Sequence, residues 1–174
     1  MTPAPPIRRI LAFVIDWFVV AAWGAALFGV VMLRTGGDLS APPDPWTGQL
    51  IGFVSMTLPV ILYFGLLEST QRGASLGKRA MGLRVTTTEG ARLSVGSSIA
   101  RSAVRFVPWE IGHLVAQQGF AAGESGPPGW VIPFMIVSVL VPAWWVLILW
   151  IRGSTPYDTW TGTAVSSVAP RERA

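Results

Sequence analysis

Residues 73–85 read GASLGKRAMGLRV, and this stretch decides how the rest of the chain is arranged. It lies between strongly apolar segments, yet it carries Lys78, Arg79 and Arg84. Its three glycines interrupt any long helix. Because charged side chains are costly in hydrocarbon, a segment this basic stays in water and fixes the side of a membrane from which its apolar neighbours start.

The composition is that of a membrane protein. The chain has 174 residues, of which 51% are hydrophobic and only 13% are charged, whereas a soluble domain has about 25% charged residues. Nine tryptophans suit a protein with many water–lipid boundaries. The lack of cysteine excludes disulfides and thiolate metal sites, and the single histidine, His113, excludes a multi-histidine site. The net charge of +4 is explained by membrane topology, so we expect no nucleic-acid partner and no cofactor.

Four segments, at about 10–33, 50–68, 99–122 and 130–151, are predicted to be helices. The first is apolar apart from Asp16, and it exceeds the roughly 20 residues needed to cross about 30 Å of hydrocarbon. It is too long for the apolar part of a signal peptide, so we expect no cleavage there. The third segment is ambiguous because it contains charged residues. It either crosses the membrane with its polar face inward or lies on the surface as an amphipathic helix.

The distribution of lysine and arginine predicts the topology, because cytoplasmic loops carry the excess of these residues. The excess lies in the N-terminal segment, in residues 69–106 and in the tail after residue 151, whereas residues 34–49 and 119–130 lack it. This alternation requires the third segment to cross. We therefore predict an all-α membrane protein, a four-transmembrane-helix bundle with both termini in the cytoplasm. The alternative is three crossings with the tail outside.

A small β element is predicted on the cytoplasmic side, in the basic block at 69–98. Residues 82–95, GLRVTTTEGARLSV, are typical of a hairpin, because a β-branched run at 85–88 and a return at 93–95 flank a Glu-Gly turn. A closing strand at 162–168 is expected to join it. The chain is thus divided into a disordered cytoplasmic tail (1–8), one membrane domain (9–168) and a C-terminal tail (169–174).

Three blocks carry charged motifs, RILAFVID at 9–16, SLGKRAMGLRV followed by RLSVGSSIARSAVR within 73–105, and DTWTGTAV at 158–165. In this order and spacing they resemble the RDD family of small bacterial membrane proteins. The resemblance implies that the arginine and the two aspartates that name the family are Arg9, Asp16 and Asp158.

The chain departs from the family pattern near its C-terminal end. The stretch GSTPY before Asp158 is not the expected basic run, and Ala169-Pro170 ends the last strand early. The resemblance implies a bacterial plasma-membrane protein linked to transport, through cation/proton exchange or as a subunit of a transporter. Four helices are few for a complete transporter with internal repeats, which favours a homo-oligomer or a membrane-protein partner. The alternative is an accessory protein that does not transport and binds a partner or anionic lipid through its basic cytoplasmic face.

Asp16 is the sharpest candidate for a functional residue. A carboxylate near the centre of a transmembrane helix costs at least ~2.5–3.5 kcal/mol, so it needs a partner or a wet cavity. Arg9 lies two helical turns earlier on the same face. One interpretation is that Asp16 pairs with an arginine near the cytoplasmic interface and locks helices together, and the other is a cation or proton site.

The helix ends predict a charged layer on the cytoplasmic side of the bundle. Such a layer is either an interlocking network of salt bridges or the entrance of an ion pathway. Its predicted members are Arg9, Asp16, Glu68, Arg101, Arg105 and Asp158, with Lys78 and Arg79 of the basic block beside them.

Glu110 and His113 form a second candidate site, at i,i+3 spacing on the third segment. Imidazole changes charge near neutral pH, so the two residues are a candidate proton relay. The alternative is that both lie without function in a wet crevice beside Pro108, or at the membrane interface if the third segment lies on the surface. Residues 73–79, GASLGKR, lack the spacing and the hydroxyl of a phosphate loop. With no Ser/His/Asp set either, we expect no enzymatic activity.

Overall fold

The apolar stretches of the chain form long helices in the computed structural model, which describes residues 3–38 and 44–168. Two short strands and two short helices lie between or after the long ones. In chain order the elements are α1 (Pro6–Thr35), α2 (Pro45–Gly52), a π-helical turn (Phe53–Thr57), α3 (Leu58–Glu68), α4 (Leu76–Ala80), β1 (Leu83–Thr87), α5 (Val95–Ala122), a 3-10 turn (Gly123–Ser125), α6 (Val131–Arg152), α7 (Pro156–Trp160) and β2 (Thr163–Ser167).

Three helical segments are long and apolar enough to cross a membrane in the described part of the chain. They are Pro6–Thr35, Pro45–Glu68 and Val131–Arg152. Their outer surfaces expose large apolar side chains such as Phe18 and Leu147, as a surface facing lipid requires. The predicted apolar helices and a small sheet are therefore confirmed, whereas α5 is too polar to count as a span by composition.

The second span is continuous from α2 to α3 although it contains a proline. Pro59 has no N–H, so the carbonyl oxygen of Ser55 loses its helical partner. Trp23 of α1 donates its indole N–H to that oxygen at 2.9 Å. A neighbouring helix thus satisfies the freed carbonyl.

The 28-residue helix α5 is the central element, packed against α2, α3 and α6. It begins at Val95, four residues earlier than predicted, because the Ser94 side chain accepts the N–H of Ser97 and caps it. At about 1.5 Å per residue it is about 42 Å long. Phe106 packs in an apolar cluster with Phe64 of α3, so α5 runs beside α3.

The predicted hairpin over 82–95 is wrong in its return strand. β1 pairs antiparallel with the distant β2, with Val85 opposite Val165. The turn at Thr88–Gly90 exists, but Leu93 is buried in the core beneath the sheet and Val95 already belongs to α5. The Ser94 cap starts a helix where the return strand was expected, and the closing strand, β2, pairs with β1 instead.

Residues 3–8 of the tail that is predicted to be disordered over 1–8 have a defined structure. Pro3 forms a bridge with Ser166, and the Ala4 N–H donates to the Val165 carbonyl at 3.0 Å. Pro6 then opens α1, where its missing N–H costs nothing. The free edge of β2 therefore orders this segment. The tail predicted at 169–174 lies outside the described residues.

Candidate functional site

Asp16 is completely buried, and uncharged donors surround its carboxylate. Oδ1 accepts hydrogen bonds from the Tyr63 hydroxyl and the Gly77 N–H, both at 2.8 Å. Oδ2 accepts one from the Ser75 hydroxyl at 2.6 Å. Ser75 and Gly77 lie at the N-terminus of α4, where free N–H groups favour a negative charge. Asp16 of α1 therefore serves as the capping carboxylate of α4.

Gly77 allows this close contact between α1 and α4. A Cβ atom at position 77 would lie 2.0 Å from the backbone oxygen of Ala12 and 2.9 Å from Cγ of Asp16. Only glycine fits there. This explains why a glycine precedes the Lys-Arg pair of the basic block.

The expected pairing of Asp16 with an arginine is wrong. Within the described residues all its partners are the uncharged groups of Tyr63, Ser75 and Gly77. Arg9 turns instead to Asp158 and to the carbonyl of Gly153. Three hydrogen bonds can hold a buried carboxylate without a cation, because each donor dipole stabilises the negative charge.

Glu68 is the centre of a buried charge network at the end of α3. Lys78 and Arg101 each donate to one of its oxygens at 2.8 Å, and Arg105 lies at 3.7 Å. Burial lowers the pKa of the Lys78 ammonium, and the adjacent Glu68 counteracts that shift. A single carboxylate thus binds α4 and α5 to α3.

Asp158 is the second carboxylate of this network. It forms salt bridges with Arg9 and with Arg101, the latter at 2.5 Å, and it accepts the Thr155 N–H in the capping box of α7. Burial raises the pKa of the Asp158 carboxyl, but Arg101 and Arg9 lower it by more, so the net pKa lies well below its ordinary value. Arg101 bridges both carboxylates and also donates to Thr163.

Most of the predicted cytoplasmic layer is therefore brought together in the structure. Asp16 joins it through Ser75, whose oxygen lies 3.5 Å from the Lys78 ammonium. Arg79 stays apart and donates to the Ala74 carbonyl.

Sequence reasoning missed the neutral members Tyr63, Ser75, Thr155 and Thr163. A tyrosine inside an otherwise apolar span was the one signal that could have found Tyr63. The predicted residues that meet are Arg9, Glu68, Lys78, Arg101, Arg105 and Asp158.

Glu110 and His113 form a separate polar cluster further along α5. His113 Nδ1 lies 3.5 Å from Glu110 Oε2, and Thr57 donates to that oxygen at 2.5 Å. Gln49 donates to the other Glu110 oxygen at 2.5 Å. The exposed fraction of the side chain is 24% for Glu110 and 29% for His113. Thr57 and Gln49 were not predicted, because the former lies in the predicted apolar span at 50–68 and the latter in the predicted loop at 34–49.

Within residues 3–38 and 44–168, no group of three or more His, Cys, Asp or Glu side chains is placed to hold a metal ion. Both clusters are made of hydrogen bonds and ion pairs. The first joins five helices, α1, α3, α4, α5 and α7, whereas the second joins α5 to the span formed by α2 and α3.

The fold and the charge network define a helical membrane protein whose spans are tied together at one end by buried ion pairs. The family model described as "RDD family" matches residues 3–162, and the chain belongs to this family. The chain is also similar to "Uncharacterized protein YxaI" of Bacillus subtilis (strain 168). The two are 44% identical over 104 residues, which cover 53% of this chain and 69% of the relative. No solved structure matches.

Proposed function

We propose that this protein is a multi-pass protein of the bacterial plasma membrane that crosses four times, with both termini in the cytoplasm. The position of α5 supports this topology. Its first turns meet Glu68 at the end of the second span, through Arg101. Its last turns meet the beginning of the same span, where Gln117 lies against Gly48. A helix that follows a membrane span from end to end lies across the same membrane.

We propose a transport-related function for it, as a cation/proton exchanger or as a subunit of a transporter. The observation that carries this proposal is the contact between Glu110 and His113, because imidazole and carboxylate groups exchange protons in membrane relays. Thr57, which completes the cluster, ends a π-helical turn, a distortion that is frequent at functional sites. Asp16, which is buried among three donors, has a structural role in this proposal.

The test is cation-driven proton movement in liposomes that contain only the purified protein. We expect movement with Na⁺, K⁺ or Li⁺, and we expect Glu110→Gln to abolish it. Glu124→Gln is the matched control, because Glu124 is an exposed carboxylate in the loop after α5. Asp16→Asn is the second comparison, and where it remains folded it is expected to retain movement.

No movement from folded and correctly inserted protein would contradict the transport proposal. Movement that Glu110→Gln leaves intact and Asp16→Asn abolishes would place the pathway at Asp16 instead of Glu110. Both variants need a measured unfolding temperature, so that lost flux is not confused with lost fold.

The second candidate function is that of an accessory protein without transport and without enzymatic activity. Two observations favour it: Asp16 is completely buried, and Arg8, Arg72 and Arg92 are exposed at the end of the molecule that carries the charge network. These cations suit a membrane-protein partner, a second copy of the chain or anionic lipid. Chemical crosslinking in the native membrane tests it, since a partner should be captured by wild type and lost after Arg72→Glu and Arg92→Glu together.

A further inference from the structure

Arg105 is a buried arginine, and one edge of its guanidinium, formed by Nε and Nη2, has no hydrogen-bond partner among the described residues. Only 8% of the residue is exposed, and its guanidinium lies 3.8 Å from the ring centroid of Phe64. Its Nε and Nη2 atoms make no hydrogen bond within the described residues. These two nitrogens lie on the same side of a guanidinium and form the fork that binds carboxylate or phosphate through two parallel hydrogen bonds.

The acidic partners nearby are already used by other groups. The Glu68 oxygen closest to Arg105 lies 3.7 Å away and accepts from Lys78 at 2.8 Å. The other Glu68 oxygen and the Asp158 carboxylate are bound by Arg101 and Arg9. Counting Asp16, the described cluster contains four cations and three carboxylates, which leaves one positive charge in excess. That excess lies at Arg105, because the other three cations all have close carboxylates or hydrogen-bond acceptors.

Two serines on the same face of α5 add further unused donors. Ser98 and Ser102 are completely buried, and their hydroxyls have no partner in the part of the chain that the structure describes. They precede Arg105 by seven and three residues, which places all three on one stripe of the helix. Long side chains on a helix lean over the preceding turn, and Ser102 lies on the turn that precedes Arg105.

We propose that Arg105, Ser98 and Ser102 form a binding site for an oxyanion of the phosphate type. A buried excess cation with an unused fork is costly unless an anion compensates it. Hydroxyl donors on the same helix stripe as a guanidinium fork add donors to the two of the fork, and more than two donors suit a tetrahedral phosphate better than a flat carboxylate. Arg105 lies 3.7 Å from Glu68, the last residue of the second span, so a phospholipid headgroup and a free phosphate compound are the two sources of this chemistry.

The experiment measures binding to purified, delipidated protein in detergent, with two probes. One probe is inorganic phosphate, titrated against chloride at equal ionic strength. The other is phosphatidylglycerol, compared with phosphatidylcholine of the same chain length by native mass spectrometry. Arg105→Lys keeps the charge and removes the fork, and we expect it to weaken binding at least about ten-fold, the effect of losing one charge-assisted hydrogen bond.

Arg152→Lys is the matched control, because Arg152 is an exposed arginine at the end of α6 and outside the cluster, and it should bind as wild type does. Should Arg105→Lys fail to fold, Ser98→Ala with Ser102→Ala removes two donors without a change in charge and should also weaken binding. Saturable binding of inorganic phosphate would assign the site to a soluble phosphate compound. Binding of phosphatidylglycerol alone would assign it to a headgroup.

The proposal is overturned when neither probe binds saturably, when the Arg105 and serine variants bind as wild type does, or when Arg152→Lys weakens binding equally. The last result would mean general attraction to a basic surface. The measurement needs no ion gradient, so its outcome is independent of the transport proposal.

Discussion

At the scale of single residues, the protein buries its charges in two different ways. Asp16 is held by three uncharged donors, and Glu68 is held by cations. The donors on α3 and at the start of α4 must lie within hydrogen-bond distance of the Asp16 carboxylate of α1, whereas ion pairs tolerate longer distances. The hydrogen bonds of Asp16 therefore depend on the distance between α4 and α1, whereas the ion pairs of Glu68 depend on the charges of its neighbours.

Asp158 predicts how stability depends on pH. The net pKa of its carboxyl is lowered in the folded protein, mainly because Arg101 and Arg9 outweigh the effect of burial. A group with a lowered folded pKa stabilises the fold above its unfolded pKa, about 3.9 for aspartate, and loses that contribution as the pH falls through the folded value. We expect the unfolding temperature in detergent to fall with pH below about 4.

The variant Asp158→Asn isolates this contribution. At pH 7 it leaves Arg9 and Arg101 without a carboxylate, and we expect a loss of about 3–5 kcal/mol, the usual effect of breaking a buried ion pair. The difference from wild type should shrink as the pH falls below 4. Glu124→Gln, at an exposed carboxylate, serves as control. A difference that is constant from pH 7 to pH 3 would show that Asp158 acts through packing and not through its charge.

At the scale of elements, α4 lies so close to α1 that position 77 has no room for a side chain. Gly77→Ala would place a methyl group 2.0 Å from the Ala12 oxygen, so the helices must separate and the hydrogen bonds to Asp16 must lengthen. We expect a loss of about 3 kcal/mol or more in the free energy of unfolding. Gly29→Ala is the matched control in α1, where nothing lies within 4 Å of the added carbon. Equal stability of both variants in denaturant would contradict this packing.

The elements differ in how far the sequence could predict them. Apolar length predicts the three spans, because hydrocarbon thickness constrains them directly. The pairing of β1 with β2 joins residues about 80 positions apart, and no local pattern distinguishes it from a hairpin. The partners of Asp16 were missed for a related reason. Charge rules point to Arg9, which is near in sequence, whereas the donors on α3 and α4 become neighbours only when the helices pack.

At the scale of the whole molecule, the ion pairs of the buried charge network collect at one end. Arg9 lies near the start of α1, Glu68 ends α3, Arg101 lies near the start of α5 and Asp158 follows α6, and one network joins all four. Since these positions alternate between starts and ends of long helices, neighbouring helices run in opposite directions. The outer faces of the long helices remain apolar and suit contact with lipid. The charged side chains of the network are buried within the protein.

This arrangement predicts the accessibility of single cysteines, which can be placed freely because the chain has none. Four crossings place Ser125→Cys outside and Thr159→Cys in the cytoplasm, since these exposed residues follow α5 and α6. Three crossings, with α5 on the surface, reverse both. Thr35→Cys is outside and Arg72→Cys inside in either topology, so they calibrate a membrane-impermeant thiol reagent on intact cells. We expect labelling of Thr35→Cys and Ser125→Cys, and labelling of Thr159→Cys only after the membrane is opened. The reverse pattern at Ser125 and Thr159 would mean that α5 does not cross, and Glu110 and His113 would then lie at an interface where no transmembrane relay can form.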